Sequence, residues 1–318
     1  MIRTLFLFFL GIMSWMNAFD KVVIWGHKLH SHTHSYIHNG FFRAFQQMGY
    51  PVFWFDDNDV VDGFDFSNAL FLTEGQVDKK IPIRMDCAYI LHNCAPSKYR
   101  ELFQANQAVI IQVYTHDVPP RSGCKEIEPF IYADKQDKCL YMPWATDLLP
   151  HEIDQVKRDL TQVGKGRTIV WVGTIGEGKF GNKEQLQPFF KAAKKAGYPL
   201  EHKTVLSMHE NMQLVKSAYM APTIVGKWQQ EQGYIPCRIF KSISYGQMGI
   251  TNSETVYKLF NGKIVYSPDT RDLFFKAQER LKTLTLQEMY ELMDFVRDHH
   301  TYINRIQTIL DFFRETQT

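Results

Sequence analysis

Lys21-Val22-Val23-Ile24-Trp25-Gly26 is a short β-branched run closed by a glycine, and the order of elements after it decides the fold. A polar loop leads into an apolar-periodic helix over residues 36–48, which Gly49 stops. Pro51-Val52-Phe53-Trp54-Phe55 then reads as a second strand, closed by Asp56, Asp57 and Asn58. Strand, glycine loop, helix, Gly-Tyr and strand in that order make a βαβ unit, which implies a parallel sheet. Further strands are expected at 69–72, 88–91 and 109–114, with a helix near 98–104 and a closing strand at 139–142.

The plan then restarts. After a charged helix at 151–163 and the turn Gly164-Lys165-Gly166, Thr168-Ile169-Val170-Trp171-Val172 is a strand ending at Gly173. Gly176, Gly178 and Gly181 mark its loop, a helix spans 183–195, and Gly197-Tyr198 comes next. Strands at 203–206, 223–225 and 248–251 alternate with helices at 209–219 and 238–245, and residues 269–313 read as mostly helical. The expected fold class is α/β, with two Rossmann-like parallel-sheet domains facing across a cleft. Residues 19–147 form the first domain, and 148–318, with a helical C-terminus, the second. In such sheets ligands sit at the carboxyl ends of strands, so the residues after Trp25, Leu91, Tyr114, Val172, Val225 and Ile250 carry the functional weight. A single barrel is the rival architecture.

Composition narrows the function. The chain has 318 residues, 45% hydrophobic and 22% charged, which is ordinary for a globular protein. Lys+Arg 36 against Asp+Glu 34 leaves +2, without the basic excess of a general nucleic-acid binder. The five cysteines include no CxxC pair, so neither a zinc knuckle nor a disulfide framework is indicated. Residues 1–18 have the outline of a signal peptide, with Arg3 ahead of an apolar run, although Met16 is also a plausible start. No later run is long enough to cross a membrane. The expected location is cytoplasmic with possible membrane association, or the secretory pathway if the leader is genuine.

Two stretches hold the candidate chemistry. Between Gly26 and His38 lie His27, His30, His32, His34 and His38, five of the twelve histidines, at a strand end and a helix start. Histidine there can serve as a base near neutral pH. The pair His32 and His34 also raises a metal reading, disfavoured because the two stand in a loop several residues past the strand. Thr33 or Ser35 as a helix cap is the structural alternative. The second stretch runs from Ile235-Pro236-Cys237-Arg238 through Lys241 and Ser242 to Gly246, then Thr251 and Asn252. Arg238, Lys241 and Ser242 are expected on the first turn of a helix. Cations at a helix N-terminus are unfavourable by ~0.3–1 kcal/mol each unless an anion joins them, which points to a diphosphate. The glycine loop from Gly173 to Gly181 fits neither a Walker motif nor a dinucleotide fingerprint.

Pro236, Arg238, Phe240, Gly246 and Thr251, with Gly173-Thr174-Ile175 after the strand, resemble the donor-binding stretches of glycosyltransferases of the GT-B fold. The Gly26 loop is similar to the acceptor-side loop of that family, and Pro143-Trp144-Ala145-Thr146-Asp147 to its interdomain linker. Lys241 departs from the family, standing where many retaining members carry a glutamate. The resemblance implies a hexosyltransferase-like enzyme of glycan biosynthesis that moves a sugar from a nucleotide-diphosphate donor to an acceptor hydroxyl. Catalysis would be metal-independent and cofactor-free, the nucleotide sugar being a co-substrate. It implies Gly173, Thr174, Lys179, Arg238, Lys241, Ser242, Thr251 and Asn252 at the donor, and His32 or His34 as base. Gly26, His27, Glu74 and His116 are implied on the acceptor side. A glycan, lipid or protein acceptor is expected, and nucleic acid is not. Two other functions stay open: a metal-dependent hydrolase using His32, His34, His92 and His116, and a non-catalytic two-lobed sugar-binding protein.

Overall fold

A computed structural model describes residues 19–75, 78–92, 94, 99–105, 107–114 and 124–316. The leader and His116 lie outside the described residues. The chain divides into two compact units: Met1–Gln112 with Ala133–Leu140 and Ile306–Thr318, and Val113–Tyr132 with Tyr141–Arg305. The single boundary expected near residue 148 is thus replaced by several crossings. The end of the C-terminal helix counts with the first unit, where Glu315 pairs with Lys135 at 2.9 Å.

The first half of the chain runs β1 (Lys21–Trp25), α1 (Thr33–Gln47), β2 (Val52–Phe55), β3 (Ala69–Glu74), β4 (Ala88–His92), α2 (Arg100–Gln104) and β5 (Ala108–Gln112), then β6 (Cys124–Glu128), β7 (Ile131–Asp134) and β8 (Cys139–Tyr141). The sheet order is β2-β1-β3-β4-β5-β8-β7-β6, and β2 through β5 pair in parallel. Every residue of β3 and β4 is buried, as parallel strands covered on both faces require. Phe71 on β3 stacks on Tyr89 on β4 at 5.0 Å in that core. The order 2-1-3-4-5 is doubly wound. Its switch point, where a ligand crevice opens, lies between the carboxyl ends of β1 and β3. Trp25 pairs with Thr73 there, which brings Gly26 and Glu74 together as the strands end. β3 runs two residues further than expected, because Thr73 Oγ1 donates to Asp78 Oδ2 at 2.9 Å and so tolerates burial.

The second unit contains α3 (Pro150–Asp159), β9 (Ile169–Val172), α4 (Lys183–Lys195), β10 (Leu200–Lys203), α5 (Met208–Ser217), α6 (Lys227–Glu231), α7 (Cys237–Ser244), β11 (Ile250–Thr251), α8 (Glu254–Leu259), β12 (Val265–Tyr266), α9 (Thr270–Thr283) and α10 (Leu286–His299). α11 (Tyr302–Glu315) then ends the chain. Two short parallel pairs, β10-β9 and β11-β12, are linked by isolated bridges at Ile169–Met220 and Thr223–Thr251. The strand expected at 223–225 is reduced to a bridge. Its cause is Asn252, whose side chain accepts from Val225 N at 2.9 Å and donates to Val225 O at 3.0 Å, replacing ladder bonds. One apolar core gathers Trp171, Phe189 and Phe274; another packs Ile239, Phe240 and Ile243 of α7 against Met289 and Met293 of α10.

Candidate functional site

In the first unit the site grows from the β1–β3 crevice. Gly26 has φ +145°, and a Cβ there would stand 2.7 Å from His38 Cε1, so the strand can leave the sheet only as glycine. α1 begins at Thr33, three residues before the expected start. His32, and not Thr33 or Ser35, is its cap: His32 Nδ1 accepts from His34 N at 3.3 Å. His34 and His38 then share a helix face four residues apart. His34 Nδ1 meets Glu74 Oε2 at 2.7 Å, and His27 Nε2 lies 3.9 Å from the same oxygen. Deeper in, His38 Nε2 is 2.9 Å from His92 Nε2.

Burial sets the electrostatics. His38 and His92 are fully buried. Desolvation lowers His38 to about 4 and holds His92 well below the usual histidine range, so both rings are neutral. Exposed His32 is lowered too, by partial desolvation and then by its neighbours His27 and His34. Burial pushes Asp78 up to about 6, even though its carboxylate accepts from Thr73 Oγ1 and, at 3.2 Å, from Glu74 N. With Glu74 Oε2 2.7 Å from His34 Nδ1, a carboxylate stands directly against the imidazole, the pairing from which a general base is built. Thus the structure brings Gly26, His27, His32, His34 and Glu74 together and adds His38, His92 and Asp78.

In the second unit Arg238 is the second residue of α7. Its Nε and Nη2 donate to Val172 O at 3.2 and 2.9 Å, and its guanidinium lies 3.9 Å from the centroid of the Trp171 ring. Gly173, at φ +119°, admits this approach, since a Cβ there would stand 2.6 Å from Nη2. Burial lowers the Arg238 pKa, and no carboxylate among the described residues forms an ion pair with it. A half-buried cation held by a carbonyl and an aromatic face is suited to an incoming anion.

The other expected donor residues differ in placement. Lys241 and Ser242 lie beyond the first turn of α7, which starts at Cys237. Lys241 Nζ pairs with Asp147 Oδ2 at 2.9 Å, and Asp147 Oδ1 also accepts from Tyr245 OH at 2.5 Å. Burial alone would lower Lys241, but the Asp147 carboxylate outweighs it and raises the pKa, so the cation expected to face a ligand is already balanced. Ser242 Oγ donates to Ala221 O, Thr251 Oγ1 accepts from Ser253 N, and Asn252 clamps Val225; all three are buried. Thr174 and Lys179 are exposed in the glycine loop, with Lys179 Nζ 5.4 Å from the Phe180 ring. Trp171, which faces the Arg238 guanidinium, and His202, whose Nε2 lies 2.8 Å from Gly173 O, carried no signal in the sequence.

No protein-family model matches the chain, and no curated protein matches it. Solved structures do. An alpha-glucosyltransferase in complex with UDP and a 13-mer DNA containing a central A:G mismatch has a TM-score of 0.61 at 10% identity, covering 94% of this chain and 100% of that one. An alpha-glucosyltransferase with UDP and a DNA containing an HMU base gives 0.58 at 10% identity, over 92% and 98%. The alpha,alpha-trehalose 6-phosphate synthase from Burkholderia multivorans gives 0.53 at 10% identity, over 94% and 99%. The chain has the GT-B fold of these glycosyltransferases. Two of these structures hold DNA as well as UDP. Among the described residues no helix is long and apolar enough to cross a membrane.

Proposed function

We propose that this GT-B chain transfers a sugar from a nucleotide-diphosphate donor to an acceptor hydroxyl. The observation that carries the reading is Arg238, a half-buried guanidinium with no carboxylate ion pair among the described residues, held at the start of α7 against Val172 O and Trp171. As the bond from sugar to diphosphate breaks, negative charge grows on the leaving oxygens. Arg238 and the open N–H groups at the start of α7 meet it without reorganisation, which is the preorganised stabilisation such a step needs. Thr174 and Lys179, exposed beside Gly173, are additional donor contacts in this reading, and no metal is needed on the diphosphate. Lys241, Ser242, Thr251 and Asn252 act by positioning α7 and the Val225 turn.

His34, oriented by Glu74, takes the proton from the acceptor hydroxyl, with His27 and His32 on the acceptor side. A base acting on the acceptor supports inversion at the anomeric carbon. His116 lies outside the described residues and remains a proposed acceptor-side contact. The test is a thermal-shift panel of UDP, GDP, CDP and their sugars. At least one nucleotide diphosphate raises the melting temperature of the wild type, and Arg238→Ala weakens that shift; silence from the whole panel removes the reading's support.

A further inference from the structure

Five imidazoles form an unbroken chain at the carboxyl edge of the first unit's sheet. Ring centroids are 4.2 Å apart for His27–His32, 5.0 Å for His32–His34, 5.4 Å for His34–His92 and 5.1 Å for His92–His38. Glu74 joins the chain at its middle. Two sets of three ligand atoms, from His27, His32 and Glu74 and from His34, Glu74 and His92, each lie within 4.8 Å of one another. Bonds of about 2.0–2.2 Å in a tetrahedral zinc site put ligand atoms roughly 3.4 Å apart, inside the 4.8 Å span of each set.

A second observation concerns proton placement. His38 Nδ1 lies 3.4 Å from His27 O, and a carbonyl can only accept, so Nδ1 carries the His38 proton. His38 Nε2 is then an acceptor, and His92 Nε2, 2.9 Å away, must donate to it. His92 is left with its lone pair on Nδ1. A backbone carbonyl thus fixes the tautomer of a buried histidine through a second histidine, as outer partners do for metal ligands.

We propose that His34, Glu74 and His92 bind one divalent ion of the zinc class, with His38 as positioning residue and His27 and His32 on the more exposed side. The three ligands come from α1, β3 and β4, and the exposed rim leaves a fourth position for water or a substrate oxygen. Binding does not depend on the transferase reading; it predicts only that a metal and a proton compete for the His34–Glu74 pair.

The test uses the full chain, stripped with chelator and titrated with Co2+ as a spectroscopic probe, then with Zn2+ in competition. One equivalent of Co2+ gives the strong visible bands of a four-coordinate site, and Zn2+ abolishes them. Glu74→Gln and His34→Ala lose the bands, His38→Gln weakens binding by about 10–100-fold, and the exposed His209→Ala changes nothing. Thermal melting of each variant separates ligand loss from unfolding, which matters for buried His92→Gln. Absence of the bands in the wild type, or their survival in folded Glu74→Gln, overturns the proposal. Neither result bears on the nucleotide panel.

Discussion

Gly173→Ala separates two contributions at the donor side. The first is backbone strain: φ +119° is a conformation side chains rarely adopt, and holding alanine there costs about 1–3 kcal/mol. The second is steric. The new Cβ would stand 2.6 Å from Arg238 Nη2, inside any ordinary contact, so the guanidinium must leave Val172 O. That forfeits a charged hydrogen bond, about 1.5–3 kcal/mol, and part of the stack on Trp171, roughly 0.5–2 kcal/mol. Returning a desolvated charge toward water offsets some of this loss. In an Arg238→Ala background only the strain remains. Urea unfolding of the wild type, both single variants and the double variant should therefore show a coupling of about 1–3 kcal/mol, the double variant being more stable than the sum of the singles. Gly173→Ala alone should also weaken nucleotide binding. Additivity within about 0.5 kcal/mol would refute the close approach and leave the glycine needed for its φ alone.

Glu74→Gln keeps the shape of the His34 contact but removes its charge, and sugar transfer should fall by about 10²–10⁴-fold, measured under saturating donor. Lys241→Met strands the Asp147 carboxylate in a buried site and should cost about 3–5 kcal/mol of unfolding free energy, most of it recovered in Lys241→Met/Asp147→Leu. His300 is buried, and desolvation, then Arg305 and His299, keep its pKa well below the usual value. The unfolded chain therefore takes up this proton near pH 6.5 while the folded chain does not, so stability is lost as pH falls. His300→Gln should remove about 2 kcal/mol of the stability lost between pH 6.5 and 5, read as a smaller acid shift of the urea midpoint.

The alternation of strands and helices was legible because each element carries its own period and glycine punctuation. β1, β9 and α4 fall within a residue of where the sequence places them. The strand at 223–225 failed because a side chain 27 positions away, Asn252, takes its backbone bonds, which no local window registers. The end of α11 counts with the first unit through long-range packing, which no local window registers either. At the site, Arg238 stood out as a cation at a helix start. Lys241 looked the same from spacing alone, yet Asp147 lies 94 positions before it and only the fold joins them. His38 and His92, 54 positions apart, were likewise visible as histidines but not as a pair.

The most direct measurement of the central claim is nucleoside diphosphate release from UDP-, GDP- and CDP-sugars by the purified chain in the presence of candidate acceptors, nucleic acid included. Release from at least one donor, reduced at least ~10-fold in Arg238→Ala as loss of a charged phosphate contact requires, is the predicted result. Turnover that is indifferent to Arg238, or no turnover of any donor, would contradict it.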